Sequence, residues 1–236
     1  MAMLASEIMD RARRVIQDET SVRWPLAELR LWINDALREI VLQKPTAHSR
    51  TVVISLRAGT YQNVPANAIA LLRVVRNLKT ASTTNREGLR AIRMVPREVL
   101  DSQHPEWHDP TVIRDSRIVK HVIFDQADPK SFYVFPGNDG TGIVEAIVST
   151  SPDTVPAPAD PENMGLYNVA LDIDDIYANV VLDYVLYRAY SKDAQFAGNA
   201  QRAAAHYQQF ANALGMKVQV EAVANPNVTP QNETVV

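Results

Sequence analysis

The spacing of the apolar residues changes twice along this chain, and that change constrains the fold more than any other sequence feature. Before Pro45, apolar residues recur every three or four positions in residues 4–19 and again in residues 26–40, which predicts two amphipathic helices. Residues 20–24 are predicted to form a turn, and Pro25 suits the first position of the second helix. The chain therefore opens with a predicted helical hairpin.

In the middle of the chain the apolar spacing falls to two residues. Six short segments there are rich in Val, Ile, Phe and Tyr and are bounded by Gly, Pro, Asn or Asp, which is typical of β-strands. A P-R-E-V-L pattern predicts a short helix over residues 96–103, between the third and fourth strands. We expect a small antiparallel β region whose strands are residues 50–56, 68–78, 89–95, 119–124, 132–135 and 143–149.

Helical spacing returns after a connector, residues 151–162, that is dense in Pro and Asp. Apolar residues over 173–185 predict one helix, and the alanine-rich residues 193–216 predict a second. Residues 218–236 lack helical periodicity and contain two prolines, so we expect an extended arm at the C-terminal end.

This order of elements predicts an α+β fold. The economical arrangement is a four-helix bundle formed by the N- and C-terminal helical hairpins, with the antiparallel β region inserted between them and an extended C-terminal tail. The predicted divisions are residues 1–46, 47–162, 163–217 and 218–236. The apolar stripes predict that six residues are buried in the bundle: Leu29, Ile33, Leu37, Val180, Val181 and Val185.

The composition narrows the chemistry open to the chain. It has 236 residues and no cysteine, which excludes disulfides, thiolate metal sites and thiol nucleophiles. No run of 18 or more apolar residues occurs, so we expect no membrane span, and the polar start predicts no signal peptide. Residues 1–100 carry 16 Lys and Arg against 9 Asp and Glu, whereas residues 101–236 carry 8 against 18. Two interpretations of this charge division stay open: binding to a polyanion, to an oppositely charged partner or to further copies of the chain, and uneven surface charge without a binding role.

Two motifs suggest ligand binding but favour structural roles. The glycines of residues 135–142 are followed by neither Gly-Lys-Ser/Thr nor a helix, so we expect a hairpin turn there rather than a phosphate loop. His104 and His108 flank a glutamate, but Pro105 interrupts the helix on which a zinc site of that spacing would be built.

Three aspartates, Asp172, Asp174 and Asp175, precede a predicted helix, where capping and the helix dipole account for them. No G-x-S-x-G motif occurs, and the spacing of the histidines links none of them to a nucleophile. We therefore expect no enzymatic activity, no metal ion and no cofactor.

Several segments resemble the adaptor proteins of tailed bacteriophages. The opening helix pair of that family is similar to Trp24-Pro25, Leu29, Trp32-Ile33-Asn34-Asp35-Ala36 and Glu39-Ile40. Residues 132–136 (F-Y-V-F-P) resemble its central strand. Residues 184–193 (Y-V-L-Y-R-A-Y-S-K-D), with the alanine-rich helix that contains His206-Tyr207, resemble its C-terminal hairpin.

The resemblance implies a structural virion protein, similar in plan to the tail tubular protein of short-tailed phages. Such proteins form a ring, usually of twelve copies, that joins the portal protein to the tail nozzle protein and surrounds the passing genomic DNA without sequence specificity. The resemblance also implies a place in the neck or tail of the virion, assembly in the bacterial host cytoplasm and no membrane association.

The C-terminal arm is the segment that we expect to contact the portal or a neighbouring subunit, through Val218, Val220, Val223, Pro226 and Val228. Two other functions stay open on the residues. One is another neck or tail-completion protein, and the other is a tail-associated carbohydrate-binding module whose β region holds the sugar. The lack of clustered exposed aromatic residues and of paired carboxylates in the sequence argues against the second.

Overall fold

A computed structural model describes residues 3–125, 127–196 and 198–224 of the chain. Over these residues there are five α-helices: α1 (Ala5–Ile16), α2 (Leu26–Gln43), α3 (Arg97–Gln103), α4 (Ala178–Lys192) and α5 (Asn199–Ala224). The same residues form eight strands: β1 (Ser49–Ser55), β2 (Ala58–Asn63), β3 (Ala68–Leu78), β4 (Gly88–Ala91), β5 (Arg93–Met94), β6 (His121–Ile123), β7 (Ser131–Asp139) and β8 (Ile143–Thr150).

The contacts divide the chain into two compact units. The first unit combines Met1–Lys44 with Pro152–Val236, and the second is the continuous segment Pro45–Ser151. Their charges differ in sign, because residues 45–151 carry 13 Lys and Arg against 10 Asp and Glu while the rest of the chain carries 11 against 17.

Helix α4 lies at the centre of the first unit. It packs against α1, α2 and α5, whereas α5 packs chiefly on α4. In a four-helix bundle the helices surround one shared core, each beside two neighbours. The prediction of a four-helix bundle is therefore wrong, although the class is α+β: five helices accompany two four-stranded sheets in the described part of the chain. An apolar stripe shows that a helix face is buried, but it does not show which helix covers that face.

The six residues predicted to be buried in the helical unit are all buried. Leu29 and Ile33 on α2 and Val181 and Val185 on α4 are fully buried, and Leu37 is 1% exposed. Val180 is 2% exposed. The periodicity therefore identified the core-facing sides of α2 and α4 correctly.

The C-terminal helix is longer than the sequence predicts. Helix α5 continues to Ala224, so residues 218–224 are helical, and the extended tail predicted from residue 218 onwards is wrong for this stretch. Valines at 218, 220 and 223 resemble strand alternation in the sequence, but the helix begun by the alanine-rich segment continues through them. Residues 225–236 lie outside the described residues.

The second unit contains two four-stranded sheets. The first has the strand order β1-β8-β3-β4 and the second has the order β2-β7-β6-β5. The pairs are antiparallel except for β5 and β6, which run parallel with Arg93 opposite His121. Strand β3 has the bounds that the sequence predicts, whereas β2 was not predicted.

The two sheets share one hydrophobic core. The first sheet contributes residues such as Leu71 and Val148, and the second contributes Val122, Phe132 and Val134. Their alternation along the strands places apolar side chains on the inner faces, as in sandwiches and barrels.

The glycine-containing segment before β8 forms a tight turn, as expected, but not a hairpin. Strand β7 belongs to the second sheet and β8 to the first, so the turn carries the chain from one sheet to the other. Asn138 closes it, because its Oδ1 accepts hydrogen bonds from the backbone N–H groups of Gly140 at 2.9 Å and of Gly142 at 3.0 Å. Gly140 has a φ of 87°, which a glycine adopts without strain.

Candidate interaction surfaces

The two histidines of the H-P-E-W-H segment pack against aromatic rings of the second unit. The ring of His104 stacks on that of Phe135 with 5.4 Å between centroids, and the ring of His108 lies 3.6 Å from that of Trp107. Burial, together with the positive charge of Arg97, lowers the pKa of His108. Each histidine therefore has its own packing partner, which accounts for the motif without a metal ion.

Trp107 fixes this segment to the second sheet. Its side chain is 1% exposed and clusters with Leu100 of α3 and Ile123 of β6. Its indole Nε1 donates a hydrogen bond of 2.8 Å to Asp101 Oδ1. A buried indole with a satisfied N–H is the ordinary environment of a structural tryptophan.

Two of the three aspartates before α4, Asp172 and Asp174, accept hydrogen bonds from backbone N–H groups. Asp174 caps a short 3-10 helix, Asp175–Tyr177, by accepting a hydrogen bond from the Ile176 N–H at 3.2 Å, as the sequence predicted. Asp172 Oδ2 accepts from the backbone N–H of Asp153 at 2.9 Å. Asp174 therefore fixes the start of a helix, and Asp172 holds the connector at Asp153.

Neither a metal site nor a membrane segment is found in the part of the chain that the structure describes. No group of three or more His, Asp and Glu side chains there is arranged to hold a metal ion. Among the same residues, none of the helices combines the length and the apolar character needed to cross a bilayer.

A first exposed surface lies where the chain passes from β4 in the first sheet to β5 in the second sheet. We call it the edge patch, and it consists of Leu89, Arg90, Arg93, Met94 and Lys120. Strand β5 is the outermost strand of its sheet, and the backbone N–H of Arg93 donates to the Lys120 oxygen at 3.2 Å. Leu89 is 41% exposed and Met94 is 66% exposed, and all three cations are exposed.

The cations of the edge patch act together on a neighbouring imidazole. Burial lowers the pKa of His121, and the charges of Arg90, Arg93 and Lys120 lower it further. In the described part of the chain none of these three cations has a carboxylate within ion-pair distance. The edge patch is thus a concentrated positive surface beside exposed apolar side chains.

A second surface lies on the helical unit. It is a groove of about 920 Å³ between the α1–α2 turn and the connector that leads to α4. We call it the acidic groove, because Asp160 and Glu162 form one wall of it and Arg13 is the single cation among its lining residues. Apolar side chains complete the lining, among them Val22, which is 81% exposed, and Met164.

The outer side of α5 is a third surface. Phe210 and Leu214 bury one side of this helix, while Tyr207 is 43% exposed and Met216 is 62% exposed. The ring of Tyr207 lies 5.0 Å from that of Tyr187 on α4.

The residues that the sequence predicts to contact the portal or a neighbouring subunit lie at the end of α5 and beyond it. The backbone positions of Val218, Val220 and Val223 lie in the last turns of α5. Pro226 and Val228 lie outside the described residues.

Comparison with known families decides what kind of protein carries these surfaces. The model of the SU10 adaptor protein family matches residues 3–230, nearly the whole chain. The chain belongs to the SU10 adaptor protein family. The resemblance to phage adaptors is thereby confirmed. Comparison with curated proteins gives no significant match.

Membership of the SU10 adaptor family sets the general role. The protein is a structural adaptor of a bacteriophage and a component of the virion, and it associates with other proteins of the phage neck. Such families are generally not enzymes. The relevant sites of a protein of this kind are therefore its contact surfaces.

Sequence reasoning did not find the edge patch or the acidic groove. Arg93 and Lys120 are far apart in the sequence, and the parallel pairing of β5 with β6 brings them together. The excess of basic residues before position 100 was the available signal, but it did not indicate where they converge.

Proposed function

We propose that this SU10-family protein is the head-to-tail adaptor that joins the portal protein to the tail nozzle protein. In this proposal twelve copies form a ring beneath the portal, and the genomic DNA passes through it without sequence-specific contacts. The observation that carries the proposal is the extent of the family match, because residues 3–230 include both compact units and the end of α5.

The two-unit organisation supports a ring. A subunit of a closed ring needs two different lateral surfaces and at least one axial surface. The chain offers an edge patch on its basic unit, an acidic groove on its helical unit and the exposed side of α5.

We assign the axial contact to the end of the chain. In this proposal Val218, Val220, Val223, Pro226 and Val228 contact the portal or a neighbouring subunit. Helix α5 packs on α4, where the ring of Phe210 lies 5.2 Å from that of Tyr184, and Leu214 is buried one turn later. The last turns of α5 continue beyond these two buried residues to Ala224.

The test is mass measurement of the purified protein alone and with portal rings, followed by addition of the nozzle protein. We expect one ring of twelve copies on each portal, and attachment of the nozzle only to portals that carry it. Direct binding to the portal separates an adaptor from a tail-completion protein, which would bind only after another neck component. Absence of any association with portal rings would refute the proposal.

The proposal also includes the absence of catalysis. We expect the protein to assemble in the host cytoplasm and to hydrolyse neither nucleotides, nucleic acids nor glycans. Turnover that a single substitution abolishes would show that the protein has an enzymatic function as well.

A further inference from the structure

We propose that the edge patch of one copy of the protein docks in the acidic groove of the next copy. This inference rests on the proposed function in one respect, because it requires the protein to associate with itself. It adds the two surfaces that meet and the residues that pair them.

The charges of the two surfaces are complementary. Arg90, Arg93 and Lys120 are exposed and lack a carboxylate partner among the described residues, and Asp160 and Glu162 likewise lack a cationic partner there. Unpaired charges of opposite sign on two surfaces steer association and fix its register.

The Asp160 carboxylate and the backbone of the acidic wall are held in place before any partner binds. Asp160 Oδ1 accepts a hydrogen bond of 3.1 Å from the backbone N–H of Glu162, and the Pro161 oxygen accepts one of 3.0 Å from the hydroxyl of Tyr167, which is fully buried. The acidic wall is thus fastened to the core of the helical unit. A wall that is already ordered loses little conformational entropy when a partner binds.

The apolar side chains favour a protein partner over a nucleic acid. Exposed Leu89 and Met94 adjoin Arg90 and Arg93 in the sequence of β4 and β5, while Val22 and Met164 line the groove. Methionine and arginine together are enriched in protein interfaces. Phosphate groups would pair with the cations but would leave Met94 exposed to water.

A second copy of this chain is the partner because both halves of the contact lie on one polypeptide. A contact between two different surfaces of identical subunits is heterologous, and it generates a ring when the rotation that repeats it closes. The edge patch belongs to the basic unit and the acidic groove to the helical unit, so the proposed contact joins different units of two copies.

The experiment reverses the charges of the patch in the full-length chain, as Arg90→Glu, Arg93→Glu and Lys120→Glu together. The matched control reverses three other exposed cations of the same unit: Arg57→Glu, Arg114→Glu and Lys130→Glu. We expect the patch variant to weaken self-association about tenfold or more, measured by analytical ultracentrifugation at 0.1 M salt, and the control to change it far less. Circular dichroism verifies folding, and Arg93→Glu alone serves if the triple variant does not fold.

Charge rescue makes the test specific. A groove variant, Asp160→Lys with Glu162→Lys, should also fail to self-associate. Equimolar mixing of the patch variant with the groove variant should restore association, because each supplies the charges that its new partner needs. Failure of this rescue would overturn the pairing of these two surfaces.

The remaining outcomes separate this inference from the proposed function. If the wild-type protein assembles on portals and the patch variant assembles equally well, the inference is wrong while the adaptor function stands. If the wild type never assembles, with or without portals, the adaptor ring itself is wrong. If the patch variant loses only binding to duplex DNA, the patch is a nucleic-acid surface and the inference is overturned.

Discussion

Asn34 on helix α2 holds the backbone of Val155 through two hydrogen bonds. Its Nδ2 donates to the Val155 oxygen at 3.2 Å, and its Oδ1 accepts from the Val155 N–H at 2.8 Å. Both residues are buried, and Arg30 Nη1 donates to the same oxygen at 3.1 Å. The proline-rich connector is therefore fastened to α2 at its middle.

The first prediction concerns this pair. Asn34→Ala leaves the buried N–H of Val155 without its partner, so the free energy of unfolding should fall by about 1–3 kcal/mol. Asn212→Ala, on the exposed side of α5, is the control and should change it much less. Urea denaturation of both variants measures the difference. Equal stability of the Asn34→Ala variant and the wild type would mean that the connector is not held by this residue.

The second prediction concerns Leu37 in the core of the helical unit. Leu37 is 1% exposed, while Leu42 on the same helix is 75% exposed. Leu37→Ala should reduce the free energy of unfolding by about 2–5 kcal/mol, and Leu37→Asp should prevent soluble expression. Leu42→Ala and Leu42→Asp should express and unfold like the wild type. Normal folding of Leu37→Asp would contradict the packing of α2 against α4.

The third prediction concerns acid stability. Burial raises the pKa of the Glu145 carboxyl, but hydrogen bonds from Arg86 at 3.0 Å and Arg76 at 2.7 Å outweigh it and hold the pKa below its ordinary value. The unfolded chain therefore binds the proton first as the pH falls. The stability from this carboxylate is present above the ordinary glutamate value of 4.5 and is lost as the pH falls through the lower value of the folded state.

Glu145→Gln tests this dependence. At pH 7 the variant should unfold at lower denaturant concentration than the wild type, and the difference should shrink towards pH 3. Glu98→Gln, at an exposed position of α3, should follow the wild type at every pH. A difference between Glu145→Gln and the wild type that does not vary with pH would show that the charge of Glu145 is not responsible.

The fourth prediction concerns the end of the chain. A protein that ends at Lys217 keeps the contacts of Phe210 and Leu214 with the helical unit, so it should fold. It should fail to attach to portal rings in a pull-down. A second protein that ends at Ala224 keeps the whole of α5 and separates the contribution of the helix from that of residues 225–236. Attachment of the shorter protein at the wild-type level would remove the contact assigned to this segment.

The fifth prediction concerns salt. Contacts between the edge patch and the acidic groove are electrostatic in part, and exposed charges are screened beyond about 10 Å at 0.1 M ionic strength. The dissociation constant of self-association should therefore rise as the salt concentration increases from 0.05 to 1 M, because salt screens the exposed ion pairs. If the dissociation constant is the same at both salt concentrations, the prediction is wrong and the contact between copies is apolar.

The helices and the central strands could be predicted because burial in them follows a simple period. Leu29, Ile33 and Leu37 mark one face of α2, and β3 is rich in apolar, β-branched residues over its whole length. Strand β2 could not be predicted in this way, because its buried residue is Gln62, whose Nε2 bonds to the backbone oxygens of Arg57 and Gly59. A buried polar side chain that hydrogen-bonds to backbone groups adds nothing to the apolar pattern of the sequence.

The candidate surfaces depend on long-range pairing, which a local pattern does not contain. The edge patch exists because β5 pairs in parallel with β6, and parallel pairs need a long connection, here residues 95–120. The prediction of a four-helix bundle is wrong for the same reason, because the apolar stripes of α4 and α5 do not show which helices cover them.

The discontinuity of the helical unit has a consequence for biosynthesis. The ends of the second unit lie side by side, because Ser49 pairs with Ser149 in the strands β1 and β8. That unit is one continuous stretch of chain, so it can fold as soon as it leaves the ribosome. Helices α1 and α2 are made first, yet their apolar faces stay uncovered until α4 has been translated. The nascent chain therefore exposes these apolar faces for the whole time needed to synthesise the inserted unit, and that is the interval in which a chaperone would bind it.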